Sequence, residues 1–320
     1  MSDSLRLDPS AFDAARVPAD QLAVNAAIIK RLQSFDNWSA APAIIRQMRR
    51  EGRGAFPAPV PSPRATTMTI EGKHGPIGLR ILGPDKPKAV YLHIHGGGWT
   101  LGTADGQDQW YERFADRLGI TTVSVDYRLG PEDPYPMGPD DCETAALWLV
   151  AEAQQRFGTD RLLIGGESAG AHLSAVTLLR LRDRHGIMPF CGANLHAGCY
   201  DLGLTPSARN WGTEKLVLNT RDISMFVRHF LVRGGDVRDP DISPIWADLS
   251  GLPPALFTVG SHDLLLDDTL FMAPRWLAAG NRASLEVYPG GCHVFIAFPG
   301  QNSDRCLERI EGFMQSAIAG

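Results

Sequence analysis

Residues 162–173 constrain the fold more than any other stretch of the chain. Leu162-Leu163-Ile164-Gly165-Gly166-Glu167-Ser168-Ala169-Gly170-Ala171-His172-Leu173 reads as a short apolar strand, a sharp turn and the start of a helix. The turn spells Gly-x-Ser-x-Gly. In that context the spelling puts Ser168 on a strained elbow, with its hydroxyl exposed at the sheet edge. Gly166 and Gly170 have a steric task, because a side chain at either would collide where the backbone folds back past neighbouring strands. Three fixed positions also arise by chance in a Gly-rich chain, so the motif takes its weight from what surrounds it.

The rest of the chain supplies strands and helices in a matching rhythm. Ala89 to Ile94 reads as a strand, Gln109 to Leu118 as a helix and Ile120 to Asp126 as a strand. Asp140 to Phe157 is a helix, apolar at Ala145, Leu147, Trp148 and Leu149. After the elbow, Ala169 to Arg182 is helical and Ala193 to Gly198 extended. The rhythm resumes with strand Ala255 to Val259, helix Asp267 to Ala279, strand Ser284 to Tyr288 and helix Arg305 to Ala317. Such alternation predicts an α/β chain whose mostly parallel central sheet is covered by helices on both faces. Right-handed crossovers then place the strand carboxyl ends on one edge, where ligand sites lie.

Three stretches stand outside that rhythm. Gln21 to Phe35 is helical in period, with Leu22, Ala26, Ile29 and Leu32 on one face, and Ala43 to Arg49 makes a second short helix. The Pro- and Gly-rich run from Gly54 to Pro63 sets them apart as a separate layer. Thr66 to Ile70 and Ile77 to Leu82 flank a turn and read as a hairpin. Tyr200 to Asp239 interrupts the alternation, with Trp211 and a helical stretch from Asp222 to Val232 that shows Met225, Phe226 and Phe230 on one face. The expected organisation is an N-terminal helical cap segment at 1–60, a catalytic core at 61–199 and 240–320, and a second cap segment at 200–239.

Composition removes several function classes. The 320 residues carry a net charge of −5 with both signs interspersed, so no basic patch argues for nucleic acid. Met1 to Val17 is charged throughout and lacks the apolar run of a secretory signal. No apolar run approaches the ~18–20 residues of a membrane span. The five cysteines (Cys142, Cys191, Cys199, Cys292 and Cys306) are odd in number and form no Cys-x-x-Cys pair. They fit reduced thiols in a cytoplasmic protein, with Cys292 a small apolar filler.

A serine hydroxyl becomes a nucleophile when a base takes its proton and a third group orients the base. In a sheet of this kind the chain order is Ser, acid, His. Strand Ala255–Val259 runs into Gly260-Ser261-His262-Asp263, which offers Asp263 as the acid. Strand Ser284–Tyr288 runs into Pro289-Gly290-Gly291-Cys292-His293, which offers His293 as the base one strand over. His262 follows the wrong strand for a base. Asp267 and Asp268 open the next helix as dipole partners. His172 is a packing residue one turn after Ser168. Attack on a carbonyl also creates an oxyanion that needs preorganised donors. His95-Gly96-Gly97-Gly98-Trp99 follows its strand directly, and its glycines present bare backbone. The expected donors are the N–H groups of Gly97, Gly98 and Ala169.

With His95-Gly96-Gly97-Gly98 and Gly166-Glu167-Ser168-Ala169-Gly170 both in place, the chain resembles the hormone-sensitive-lipase-like family of α/β-hydrolases. Asp126-Tyr127-Arg128-Leu129-Gly130-Pro131-Glu132 is similar to that family's stretch after the following strand. Asp239-Pro240, Ile242-Ser243-Pro244 and Gly251-Leu252-Pro253-Pro254-Ala255 are similar to its approach to the acid strand. The resemblance implies an α/β-hydrolase fold with a helical cap and no cofactor. It implies carboxylic-ester hydrolysis, usually of short acyl chains, with Gly97, Gly98 and Ala169 as the oxyanion hole. Two departures stand out. Glu167 sits where Asp or a smaller residue is commoner, and His262-Asp263-Leu264-Leu265 replaces the usual Asp-Pro-Leu.

The expected function is a serine carboxylesterase acting on a small-molecule ester through Ser168, His293 and Asp263 and an acyl-enzyme. Trp99, Trp211, Phe226, Val294 and Phe295 are candidates for its apolar pocket. No metal, nucleic acid or membrane is expected, and a homodimer is compatible. The alternatives are an arylformamidase or lactonase using the same residues, since the spelling from His95 to Trp99 is shared with formamidases, or a non-catalytic ligand-binding member of the fold.

Overall fold

The alternation read from the sequence closes into one eight-stranded sheet. Its strands are β1 (Thr66–Ile70), β2 (Ile77–Leu82), β3 (Ala89–Ile94), β4 (Ile120–Asp126), β5 (Leu162–Glu167), β6 (Phe190–His196), β7 (Ala255–Gly260) and β8 (Ala283–Tyr288). The order across the sheet is β1-β2-β4-β3-β5-β6-β7-β8 in this computed structural model, which describes residues 5–320. The first four residues of the expected 1–60 segment, and of the Met1–Val17 stretch, lie outside the described residues. β1 pairs antiparallel with β2, and β2 with β4; the remaining pairings are parallel.

The helices are α1 (Ala19–Leu32), α2 (Pro42–Arg50), α3 (Asp108–Leu118), α4 (Met137–Phe157), α5 (Ala169–His185), α6 (Pro206–Asn210), α7 (Thr220–Phe230), α8 (Leu266–Ala278) and α9 (Gln301–Ala319). They pack mainly into two cores that follow the two-residue period of the strands, with a small third cluster of Leu82, Tyr111 and Ala115. Val90, Leu92 and Ile94 of β3 join the core built with α4, α5 and α8. Ala89 and Tyr91 of the same strand join the core built with α3 and α9. Every residue of β3, β5 and β7 is buried, as expected of parallel strands covered on both faces.

One helix presents a different face from the one its apolar spacing predicts. On α1 the buried positions are Gln21, Asn25, Ile28 and Leu32, while Leu22 is 52% exposed. The reason is a polar dock. Gln21 Nε2 donates to Asn25 Oδ1 (2.9 Å), Asn25 Nδ2 to Gly290 O (2.9 Å) and Asn302 Nδ2 to Gln21 Oε1 (3.2 Å). These bonds outweigh the burial of one leucine. The dock holds α1 against the loop that carries His293.

The segment before residue 61 and the segment at 200–239 meet each other. Trp38 Nε1 donates to Asp222 Oδ1 (2.7 Å), and its ring packs edge-on against Phe226 (centroids 4.9 Å apart). Lys215 Nζ donates to Phe35 O (3.3 Å), and Arg221 pairs with Asp36 (3.1 Å). The helix α7 that makes these contacts starts from an Asn219–Asp222 capping box, so its first turn is fixed locally. Among the described residues no helix is long and apolar enough to cross a membrane.

Candidate active site

β5 ends at Glu167 and α5 begins at Ala169, so Ser168 alone makes the turn, with φ 55° and ψ −121°. Such a conformation costs an L-residue on the order of 1–3 kcal/mol and persists only where the surroundings enforce it. Here Ser168 N donates to His196 O on β6 (2.9 Å), and His172 N donates to Ser168 O (3.2 Å). A Cβ on either Gly166 or Gly170 would overlap the Ile94 carbonyl oxygen of β3. The motif glycines are there because β3 passes directly against the elbow.

Two further loops at the same sheet edge close on the serine. His293 Nε2 lies 2.9 Å from Ser168 Oγ, and His293 Nδ1 lies 3.0 Å from each oxygen of Asp263. The carboxylate accepts only, so the network assigns the ring proton to Nδ1 and leaves Nε2 to accept from the serine hydroxyl. Leu265 N donates to Asp263 Oδ1 (2.9 Å), which fixes the acid. All three side chains are buried, and Ser168 is 7% exposed.

The fourth loop follows β3. Gly97 and Gly98 have φ of 117° and 60°, and a Cβ on Gly97 would strike the backbone of Leu101. His95 braces the loop from below. Its Nδ1 donates to Gly96 O (2.8 Å), its ring stacks on Tyr127 (4.3 Å), and Tyr127 OH donates to His95 O (2.8 Å). Burial lowers the pKa of His95, so the brace is a neutral imidazole. Among the described residues no protein acceptor takes the N–H of Gly97, Gly98 or Ala169. Those are the three groups the sequence offers as oxyanion donors.

The other candidates have plainer settings. His172 accepts from Trp99 Nε1 (3.0 Å) and donates to Ile242 O (2.8 Å), and burial pushes its pKa down to about 4. His262 is exposed. Cys292 is buried, and that burial pushes its thiol up to about 12, so it fills space. Asp268 does more than face a helix end. It accepts from Tyr200 N, Asp201 N and Thr205 Oγ1 (2.6, 2.9 and 2.6 Å) and so anchors the start of the 200–239 segment. Among the described residues no group of three or more His, Cys, Asp and Glu side chains is arranged to hold a metal ion.

Of the pocket candidates, Phe226 reaches the site: its ring occupies the place a Gly98 side chain would take. Val294, at φ 50°, and Trp211 are half-buried at the rim of the core beneath α1. Trp99 and Phe295 are each 1% exposed and spend their rings on packing. Trp99 stacks on Phe230 (4.9 Å), and Phe295 packs on His196 (5.3 Å) and Tyr288 (5.0 Å). Both lie in the core behind the site.

Residues 91–297 match the family described as the alpha/beta hydrolase fold. The chain belongs to the hormone-sensitive-lipase-like α/β-hydrolases. Its curated relatives include the carboxylic ester hydrolase LipN of Mycobacterium tuberculosis, 35% identical over 76% of this chain and 67% of that one. The esterase LipI of the same organism is 31% identical over 92% of each. Among solved structures, the hyperthermophilic esterase of the archaeon Pyrobaculum calidifontis superposes with a TM-score of 0.82 at 28% identity, covering 94% of this chain and 98% of that one. A hormone-sensitive lipase from a metagenome library superposes with a TM-score of 0.81 at 26% identity, covering 94% and 99%. Family membership accounts for the sheet order and for the loops that meet at its carboxyl edge.

Proposed function

We propose that the chain is a serine carboxylic-ester hydrolase in which Ser168 is the nucleophile, His293 the base and Asp263 its orienting acid. One observation carries the reading: the line Ser168 Oγ–His293 Nε2–Nδ1–Asp263 ends at an elbow flanked by backbone N–H groups that no acceptor among the described residues takes. His293 takes the Ser168 proton as Oγ attacks the ester carbonyl. Asp263 holds the ring tautomer and stabilises the imidazolium that forms. The carbonyl oxygen, now an oxyanion, sits on the N–H groups of Gly97, Gly98 and Ala169. The alcohol departs with the proton from His293. Water then repeats the sequence on the acyl-enzyme and frees the acid.

The described residues of the 1–60 segment and the 200–239 segment form the cap over this site, and 61–199 with 240–320 form the catalytic core. The mutual contacts of Trp38, Phe226 and Lys215 support that division, because they join the two outlying segments above the oxyanion loop. Short acyl esters suit a site with Phe226 pressed onto Gly98. The relatives named as ester hydrolases favour esters over formamides or lactones.

A panel of aryl esters of graded acyl length, run beside a formamide and a lactone, tests the reading. The wild type should turn over the short esters fastest and should be labelled at Ser168 by a serine-reactive phosphonate. Ser168→Ala should lose about 10⁶ in kcat, as when a serine hydrolase loses its nucleophile. Retained hydrolysis in that variant, or failure of the phosphonate to label the folded protein, would overturn it.

A further inference from the structure

Glu167 takes no part in the steps above, yet it is the most heavily tied side chain beside the nucleophile. It is 3% exposed. Its Oε1 accepts from Gly96 N (2.7 Å) and from Gln107 Nε2 (2.8 Å). Its Oε2 lies 2.9 Å from His93 Nε2. His93 is held in turn, with Nδ1 2.7 Å from Tyr111 OH, and Tyr111 OH is 3.1 Å from Ser124 Oγ. The carboxylate can only accept, so His93 Nε2 donates to it and Nδ1 accepts from Tyr111. The chain of contacts therefore runs from β4 and α3 through β3 to the last residue of β5.

Burying a carboxylate costs several kcal/mol unless donors compensate it. These three donors are not scattered. His93 is the penultimate residue of β3, Gly96 lies in the loop that continues into Gly97 and Gly98, and Gln107 leads into α3. A Cβ on Gly96 would sit 2.8 Å from Glu167 O and 3.2 Å from its Oε1, so the loop lies flat against this residue. Glu167 is also bonded directly to Ser168.

We propose that Glu167 is a positioning residue that sets the oxyanion loop against the nucleophile. The inference rests on reading Ser168 as the nucleophile. One peptide bond joins Glu167 to Ser168, and one hydrogen bond joins it to Gly96, so the side chain acts as a spacer between attacking oxygen and receiving N–H groups. Its length is what matters. An aspartate is one methylene shorter and cannot reach Gly96, Gln107 and His93 together from the same backbone. A glutamine keeps the length and keeps a carbonyl oxygen for the Gly96 N–H. Misplacing reacting groups by 1 Å costs on the order of 10²-fold.

The test compares Glu167→Asp and Glu167→Gln with the wild type, each assayed well below its own melting temperature. Three quantities are read: kcat and KM for a short-chain aryl ester, and the affinity for a trifluoromethyl ketone, whose adduct on Ser168 carries an oxyanion. Glu167→Asp should lose about 10- to 100-fold in kcat and in ketone affinity, with KM nearly unchanged. Glu167→Gln should recover most of both. A Glu167→Asp variant with wild-type kcat and ketone affinity overturns the proposal. So does an equal loss in both variants, which would make charge rather than length the cause, or a rise in KM matching the fall in kcat, which would make the role merely structural. A wild type that neither hydrolyses the ester nor reacts with a phosphonate removes the reading of Ser168, and the spacer role with it. An active wild type matched by Glu167→Asp removes the spacer role alone.

Discussion

The loops at the carboxyl ends of β3, β5, β7 and β8 are held differently from the two segments that lie over them. The loops are set by backbone: a serine at φ 55°, glycines that admit no Cβ, and bonds such as Ser168 N to His196 O. The segments are set by side chains reaching long distances in sequence: Trp38 to Asp222, Lys215 to Phe35, Arg221 to Asp36. Backbone geometry tolerates almost no substitution. Side-chain ties can be exchanged one at a time. On the proposed function, the chemistry sits on the part set by backbone, and the shape of the pocket on the part set by exchangeable side chains.

The largest expected effect that would sharpen this contrast is at the acid. Asp263→Asn should lower kcat by about 10⁴, because the amide no longer fixes the His293 tautomer. Its thermal midpoint should stay close to that of the wild type, as melting curves would report. A loss below tenfold would show that the loops do not act as one unit.

Phe226→Ala is next. It removes the ring against Gly98 and the partner of Trp38, and kcat/KM for acetyl esters should fall about 10-fold. Longer acyl chains should gain relative to short ones in the same ester panel. Trp38→Phe is milder. It loses one hydrogen bond to Asp222, worth about 1 kcal/mol, while Lys215 still faces that carboxylate (3.3 Å). KM should change a few-fold with kcat untouched, and hydrogen exchange should quicken in both segments together. Exchange rising in only one would break the view that they form a single layer.

The smallest effect concerns pH. Asp241, just past the 200–239 segment, is gripped by Arg180 of α5 (2.6 Å to each oxygen) and by Tyr135 OH (2.7 Å). Burial alone would raise its carboxyl, but the Arg180 bonds and charge outweigh it and hold the pKa below the ordinary value. A lowered folded pKa stabilises fully above the unfolded value near ~4 and is lost as the pH falls through the folded one. Proteolysis within 200–243 should therefore rise on acidification below about pH 4, ahead of loss of the sheet. Asp241→Asn should flatten that dependence.

The same contrast explains what the sequence made legible. The strands, the elbow, Asp263 and His293 were readable because each rests on a local pattern: alternation, glycine spacing, or position just past a strand. The buried face of α1 was not, because Gln21 and Asn25 find partners near Gly290 and Asn302, far along the chain. Asp268 reads locally as a helix-end charge, yet its partners are the backbone of Tyr200 and Asp201. Trp99 and Phe295 read as pocket walls because aromatics near catalytic loops suit either role; only packing decides. The five-residue α6 left too short a period to detect. Glu167 was visible as an oddity, while its partners His93 and Gln107 emerge only when β3 and α3 are brought to β5.

Phe226 belongs to both regions, since a residue of the outlying layer rests directly on Gly98 of the loop after β3. On the proposed function, substrate range and turnover would share that contact. A smaller residue at 226 would then both widen the site and loosen the loop proposed to receive the developing charge.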